Sequence, residues 1–388
     1  MIHQAAHLLA ILALICSLAA IVYYILCLWS AAAFARETKP AGKNLSAAQI
    51  TPVSILKPLK GTDPEMYESF RSHCHQDYPE YELIFGVSDA NDPAIELVKR
   101  LQTEFPERAI RLVVCPQNLG TNTKVSNLVQ MLPHAKHDLL IVNDSDIRVE
   151  PDYLRSVLAP LADQSIGLVT CLYRGKANES LGSRLEALGI STDFCVGVLA
   201  ARWLEGITFG LGSTLAFRRR DLARIGGFEA VLDYLADDYQ LGNRIAALGL
   251  KVELSHIVVE TCLPRYTISD LIAHQLRWAR TLRDSRFWGY VGLVITFGLP
   301  WATLALVASD FAAWGWWLLL GMAVMRLAVA LFVGRRVLAD SQVSRWFALI
   351  PLRDFIAAFL WLFSFAGHSV SWRGDSFRLE NGKLIRLE

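Results

Sequence analysis

A chain of 388 residues, 53% of them hydrophobic and only 19% charged, has room for two or three folded units and more apolar surface than one water-soluble core needs. Its 38 basic and 37 acidic side chains nearly cancel, to a net charge of +1, and no segment gathers a basic stripe, so no nucleic-acid partner is expected. Seven cysteines, at 16, 27, 74, 115, 171, 195 and 262, follow no framework spacing, which excludes a disulfide scaffold and fits small thiols in a reducing compartment.

The first charged residue is Arg36. The uncharged run over residues 8–35 is longer than the roughly 20 residues a membrane helix needs. It lacks a positive leading segment, which favours an uncleaved anchor over a signal peptide even though "SAAAFA" offers small residues. The anchor is placed at residues 1–35. Arg36, Lys39 and Lys43 then follow the span and predict a cytoplasmic exit.

Apolar runs next recur at "VSILKPL" (53–59), "ELIFGVSD" (82–89), "IRLVVC" (110–115), "DLLIVND" (138–144) and "IGLVTCLY" (166–173). Without polar alternation, such runs read as strands covered on both faces. Helical patterns lie between them. "DPAIELVKRLQTEF" (92–105) puts Ile95, Val98, Leu101 and Phe105 on one face, and "TKVSNLVQML" (123–132) and "PDYLRSVLAPL" (151–161) repeat the arrangement. The alternation predicts an α/β fold with a mostly parallel sheet and helices on both faces. Ligands of such sheets sit beyond the carboxyl ends of the strands, where Asp89 and Asp144 fall.

The fourth run ends in "NDSDI", placing Asp144 and Asp146 one residue apart. Two carboxylates so close need a cation or a solvated turn. No GxGxxG and no GxxxxGK[ST] occurs, so a nucleotide would have to be held otherwise. A D-x-D pair holding Mg²⁺ or Mn²⁺ on a diphosphate is one way, since carboxylates and phosphate oxygens suit these hard ions. The "HCH" at 73–75 has no second ligand pair at a finger spacing and reads as incidental.

"YLADDYQLGNRIAALG" (234–249) opens a helix with Asp237 and Asp238, read either as dipole-favoured capping or as a base aimed at the cleft. "SDLIAHQLRWARTLRDSRFW" (269–288) is an amphipathic, Arg- and Trp-rich helix for a membrane interface. Residues 287–309 and 311–334 read as two spanning helices with a tight turn near Asp310. Arg326 in the second is expected to snorkel or to face an ion partner. Arg335 and Arg336 mark a second cytoplasmic end. Residues 355–372 read as re-entrant or interfacial, because a further span would put the basic tail with Arg373, Arg378, Lys383 and Arg386 outside.

Taken in order, "VSILKPLKGTDPEMY", "QDYPEYELIFGVSDANDPAIELVKRL", "NLGTNTKVSNLVQ", "DLLIVNDSDIRV", "GLVTCLYRG", "LADDYQLG" and "HQLRW" resemble family-2-type membrane glycosyltransferases of GT-A fold. Within them the chain is most similar to the ceramide glucosyltransferase group and its bacterial relatives in hopanoid biosynthesis, over about residues 53–283. The resemblance implies that Asp89 contacts the nucleotide and that Asp144 and Asp146 bind the metal, Mg²⁺ or Mn²⁺, and the diphosphate. It implies Asp238 as catalytic base, with Arg277 and Trp278 at the diphosphate and acceptor entrance and Lys124 reaching the donor phosphates. Two positions depart from the pattern. Asp237 stands where the ceramide enzymes carry Glu, and His274 fills the first position of their Q/R-x-x-R-W motif.

The resemblance further implies an inverting transfer from a UDP-sugar, UDP-N-acetylglucosamine or UDP-glucose, to the hydroxyl of a membrane lipid. A hopanoid polyol such as bacteriohopanetetrol is favoured, with ceramide as the alternative. The expected setting is a bacterial inner membrane, with residues 36–267 as a cytosolic catalytic domain, 268–286 as the interfacial helix, 287–372 as the membrane region and 373–388 as a basic tail. A processive polysaccharide synthase would need more spans to form a channel, and a transporter would show inverted repeats. A non-catalytic scaffold that merely binds sugar nucleotide would have no need of the acidic set.

Overall fold

A computed structural model describes residues 2–37, 51–372 and 375–386, in which the chain divides into two units. One is α/β and comprises Thr38–Lys176, Ile207–Pro264 and Gly382–Glu388. The other is mainly helical and comprises Met1–Glu37, Ala177–Gly206 and Arg265–Asn381. Ala177–Gly206 therefore does not belong to the α/β unit, although the sequence reading kept residues 36–267 together. Lys39, Lys43 and Arg373 lie outside the described residues.

Among the described residues the main sheet of the α/β unit has eight strands: β1 Val53–Leu59, β2 Tyr81–Val87, β3 Ala109–Val114, β4 Leu139–Val142, β5 Ile147–Arg148, β6 Ile166–Lys176, β7 Leu215–Arg218 and β8 Lys251–Cys262. They lie in the order β3-β2-β1-β4-β7-β6-β8-β5. β3, β2, β1 and β4 run parallel, with Val53 opposite both Tyr81 and Leu139. β7 reverses direction against β4 and β6, β6 and β8 are parallel again, and β5 is antiparallel to β8. β1, β2 and β4 are buried along their whole length, as their unbroken apolar runs require. The exception inside β1 is Lys57, a lysine with no exposed surface.

Among the described residues of the helical unit, four helices are long and apolar enough to cross a membrane: Gln4–Arg36, Leu181–Glu205, Ala313–Val337 and Phe347–Ser364. Two of the sequence expectations change here. Residues 287–309 are not one straight span: Phe287–Thr296 and Gly298–Ala308 meet at 55°. Pro300 is the physical cause, because its ring clashes with the carbonyl four residues back and it cannot donate to it. That carbonyl, of Thr296, accepts the Tyr24 hydroxyl at 3.1 Å instead. Residues 355–372 are not one helix either. Helix Ile350–Ser364 ends before Gly367, whose φ of +144° no helix tolerates, and Ser369–Trp372 pairs as a strand with Asp375–Glu380. Arg283 donates to the freed carbonyls of Ser364 and Gly367.

The turn near Asp310 is present, with Asp310 and Phe311 both at positive φ between helices ending at Ala308 and starting at Ala313. Arg326 is buried and faces an ion partner. Its Nε and Nη2 donate to the two oxygens of Asp354 at 2.8 and 2.7 Å, and its Nη1 donates to the Thr192 carbonyl at 2.9 Å. All seven cysteines are unpaired thiols, and only Cys16 is not buried.

Candidate functional site

The chain enters the site through β4. Its last apolar residue is Val142, after which Asn143 is buried and donates to the Tyr153 hydroxyl (2.9 Å), the Ser213 carbonyl (2.7 Å) and Thr214 Oγ1 (3.2 Å). These bonds pin the turn that carries Asp144 and Asp146. From below, Lys57 Nζ donates to the Asp144 carbonyl at 2.9 Å. Burial drives the Lys57 ammonium down to about 7, although Asp146 and Asp144 pull the other way. The strand lysine is thus a counter-charge built into the floor of the turn.

Asp146 turns towards β8, where Thr261 Oγ1 donates to its Oδ2. Burial first, and then Asp144, push its carboxyl up to about 6. Asp144 has a different partner. Its Oδ1 meets Lys124 Nζ at 2.8 Å, and the same ammonium lies 3.1 Å from Asp237 Oδ2. Lys124 sits in the first turn of helix Thr123–Met131, where Asn122 is the N-cap and accepts from Val125 N at 3.2 Å. Burial alone would lower the Lys124 ammonium, but Asp144, Asp237 and Asp238 together hold it well above its ordinary range.

Helix Asp237–Ala247 brings the second acidic pair. Its approach depends on Gly242, where a Cβ would stand 2.2 Å from the Gly210 backbone nitrogen. Asp238 Oδ1 accepts from Tyr239 N at 2.8 Å. Burial, and next the Asp237 charge, push the Asp238 carboxyl up to about 6. Between the two acidic elements lies Gly212. A Cβ there would stand 2.9 Å from Asp144 Oδ2 and 3.2 Å from Asp238 Oδ2, so those two oxygens are no farther apart than the sum of these distances. Side chains 94 positions apart in sequence therefore share one small space.

Asp89 is exposed just past the end of β2 and closes a local turn by accepting from Asn91 N at 2.8 Å. β1 separates β2 from β4, and the strands are parallel, so Asp89 and Asp144 stand at the same edge of the sheet.

His274, Arg277 and Trp278 lie on helix Ile268–Ser285 of the helical unit. Arg277 Nη2 is 3.2 Å from His274 Nδ1. A guanidinium can only donate, so Nδ1 is the acceptor and the imidazole proton sits on Nε2, which faces Glu186 Oε1 at 3.5 Å. Burial and then Arg277 drive the His274 ring down to about 3, keeping it neutral. Its ring packs on Tyr266 and Trp278, each at 5.4 Å, and Trp278 in turn meets Phe194 edge-on.

Among the described residues no three His, Cys, Asp or Glu side chains form a closed metal cage. A hard divalent ion does not require one here, because it keeps waters and borrows phosphate oxygens from a nucleotide. Charge supports the fit. The four carboxyl groups of Asp144, Asp146, Asp237 and Asp238 exceed the two amines of Lys57 and Lys124, so the site is acidic, as a cation site requires.

Sequence reasoning missed Lys57, Asn143, Gly212 and Thr261. A charge in the middle of "VSILKPL" was a usable signal for the first, and the paired glycines of "FGLGST" were a weaker one for Gly212. Nothing local marks Thr261.

Residues 12–385 match the model of glycosyl transferase family 21, and the chain belongs to that family. It is 27% identical over 229 residues to ceramide glucosyltransferase 3 of Caenorhabditis elegans, covering 59% of this chain but only 50% of that relative. It is 24% identical to ceramide glucosyltransferase 1 of the same organism, covering 86% of this chain and 73% of the relative. A mannosyltransferase from Pyrobaculum calidifontis, solved with GDP-mannose and Mn²⁺, shares its fold at a TM-score of 0.52 and 20% identity, over 94% of this chain and 99% of the other.

Proposed function

We propose that this family 21 member is an inverting glycosyltransferase that moves a hexose or N-acetylhexosamine from a UDP-sugar to the hydroxyl of a membrane lipid. The carrying observation is the convergence of Asp144 and Asp238 on Gly212, with Lys124 bound to the first of them. The apolar helices of the second unit suit a lipid acceptor. The motif resemblance favours a hopanoid polyol, while the named relatives favour ceramide as the second reading.

In this reading Asp238 takes the proton of the acceptor hydroxyl, and the oxygen forms a bond to the anomeric carbon from the face opposite the diphosphate. The bond from that carbon to the diphosphate oxygen breaks, and UDP leaves with the electron pair. One displacement inverts the sugar and needs no covalent nucleophile. Burial suits Asp238 to the task, since a carboxylate raised to about 6 is a stronger base than one in water and is still ionised at neutral pH. Asp144 and Asp146 would hold Mg²⁺ or Mn²⁺, which supplies charge neutralisation to the departing diphosphate. Asp89 serves the nucleotide, Lys124 the donor phosphates, and Arg277, Trp278 and His274 the diphosphate and acceptor entrance.

The proposed setting is a bacterial inner membrane, with the chain anchored by residues 1–35. Residues 36–176 and 207–267 work in the cytosol, 268–286 lie at the interface, 177–206 and 287–364 sit in the membrane and 373–388 form the tail. The test is to incubate purified protein and Mn²⁺ with UDP-glucose or UDP-N-acetylglucosamine and with ceramide or bacteriohopanetetrol, and to identify products by mass spectrometry. A glycolipid of inverted anomeric configuration is expected. UDP binding without transfer to any lipid would overturn the proposal.

A further inference from the structure

Among the described residues, Lys124 is the only cation paired with the Asp144 carboxylate, at 2.8 Å from its Oδ1. The side chain of Lys124 is 17% exposed and that of Asp144 41%, so the pair is reachable from solvent, whereas Asp237 on the other side of the ammonium is 6% exposed. An ammonium has three donors. Here the nitrogen lies within ion-pair distance of two carboxylates, one exposed and one buried. The two partners are therefore unequal. Asp237 is locked, because Asn122 Nδ2 approaches its Oδ1 at 3.5 Å and the residue is buried at a helix start. Asp144 is the partner that a cation arriving from solvent can claim.

We propose that Lys124 is a built-in competitor for the divalent cation at Asp144, and that on metal loading its ammonium gives up Asp144, stays tethered to Asp237 and passes its freed donors to the donor diphosphate. The inference rests on the donor-binding reading above and adds to it an order of events. Lys124 lowers the affinity for metal alone and raises the affinity for nucleotide once metal is bound, so that free metal loads weakly and metal with nucleotide loads well. Asp237 Oδ2, 3.1 Å from the ammonium, is the partner that stays.

The signature is a pair of changes of opposite sign. The full chain in detergent is titrated with MnCl₂ alone, following free Mn²⁺ by electron paramagnetic resonance, and then with UDP at saturating Mn²⁺ by calorimetry. Lys124→Gln is expected to bind Mn²⁺ alone roughly tenfold more tightly and UDP with Mn²⁺ roughly tenfold more weakly, the scale of one charge-assisted contact. Lys124→Arg, which keeps the charge, should stay near the wild type in both. If Lys124→Gln does not fold, Lys124→Met, neutral and of similar length, reads the same two constants. Mn²⁺ affinity that is unchanged or weaker in the neutral variant overturns the inference. Loss of Mn²⁺ binding in Asp144→Asn upholds the site reading independently, so a failure of the lysine variants then falls on this inference alone.

Discussion

Replacing Asp238 by Asn tests the proposed base while sparing its surroundings. The amide oxygen can still accept from Tyr239 N, which the carboxylate holds at 2.8 Å, so the start of helix Asp237–Ala247 is retained while the ability to take a proton is lost. Turnover should fall by roughly 10²–10⁴, the usual contribution of a general base, or about 2.7–5.5 kcal/mol of transition-state stabilisation. The donor KM should barely move. Because the working form is the ionised one, wild-type turnover should fall as pH drops through about 6, where burial and Asp237 place this carboxyl, and the residual activity of Asp238→Asn should lack that limb. Stability should move in the opposite sense. A carboxyl raised from 3.8 to about 6 by folding favours the folded state when protonated, and that contribution is present below about 4 and lost as pH rises through about 6. At pH 7 Asp238→Asn should therefore melt no lower than the wild type. Transfer of radiolabelled sugar to lipid in mixed micelles, over pH 5–8, measures the first two quantities and thermal unfolding the third. Turnover within tenfold of wild type, or an intact acidic limb in the variant, would refute the assignment of Asp238 as base.

Gly212→Ala places a methyl group 2.9 Å from Asp144 Oδ2 and 3.2 Å from Asp238 Oδ2. It should cut turnover at least roughly tenfold with an unchanged melting temperature, since the neighbours that must shift are the proposed metal ligand and the proposed base; an active variant would show that this space is not used. Arg326→Met leaves Asp354 buried without its bidentate partner. It should destabilise the protein by roughly 3–5 kcal/mol, and adding Asp354→Leu should recover most of the loss in detergent melts. Chelation with EDTA should abolish transfer and Mn²⁺ should restore it. Mn²⁺ should also raise the melting temperature more at pH 7 than at pH 4.5, because Asp146 and Asp238, both raised to about 6, are ionised only at the higher pH. Equal shifts at both pH values would place metal binding elsewhere.

The parts of this fold that could be read in advance are those whose signal is local. β1, β2 and β4 announce themselves as unbroken apolar runs, and Asp144 follows from where β4 must end. Helix Asp237–Ala247 shows its face at Leu241 and Ile245, both buried. Segment Leu181–Glu205 failed to register as a membrane-type helix because Arg184, Glu186, Asp193 and Arg202 interrupt its hydropathy. Those charges are answered within the helical unit by Trp346, Gln275, Arg353 and Glu37, partners that lie far along the chain and that hydropathy cannot see. The break at 297 was legible in Pro300 but was outweighed by the length of the uncharged run. The site itself was half legible. Its acidic residues stood in recognisable surroundings, but the pairing of Lys124 with Asp237 and the closeness that makes Gly212 a glycine exist only after residues more than 80 positions apart are brought together.

One amide group carries a consequence beyond its own bonds. Asn122 caps the helix of Lys124, and its Nδ2 donates to the Tyr234 carbonyl at 2.7 Å and reaches Asp237, while Thr121 beside it bonds Asp233 at 3.0 Å. The stretch that carries Lys124 and the stretch that carries Asp237 and Asp238 are thereby riveted together, so a tilt of either is transmitted to the other. Asn122→Asp would swap a donor for an acceptor at that rivet and let the halves drift.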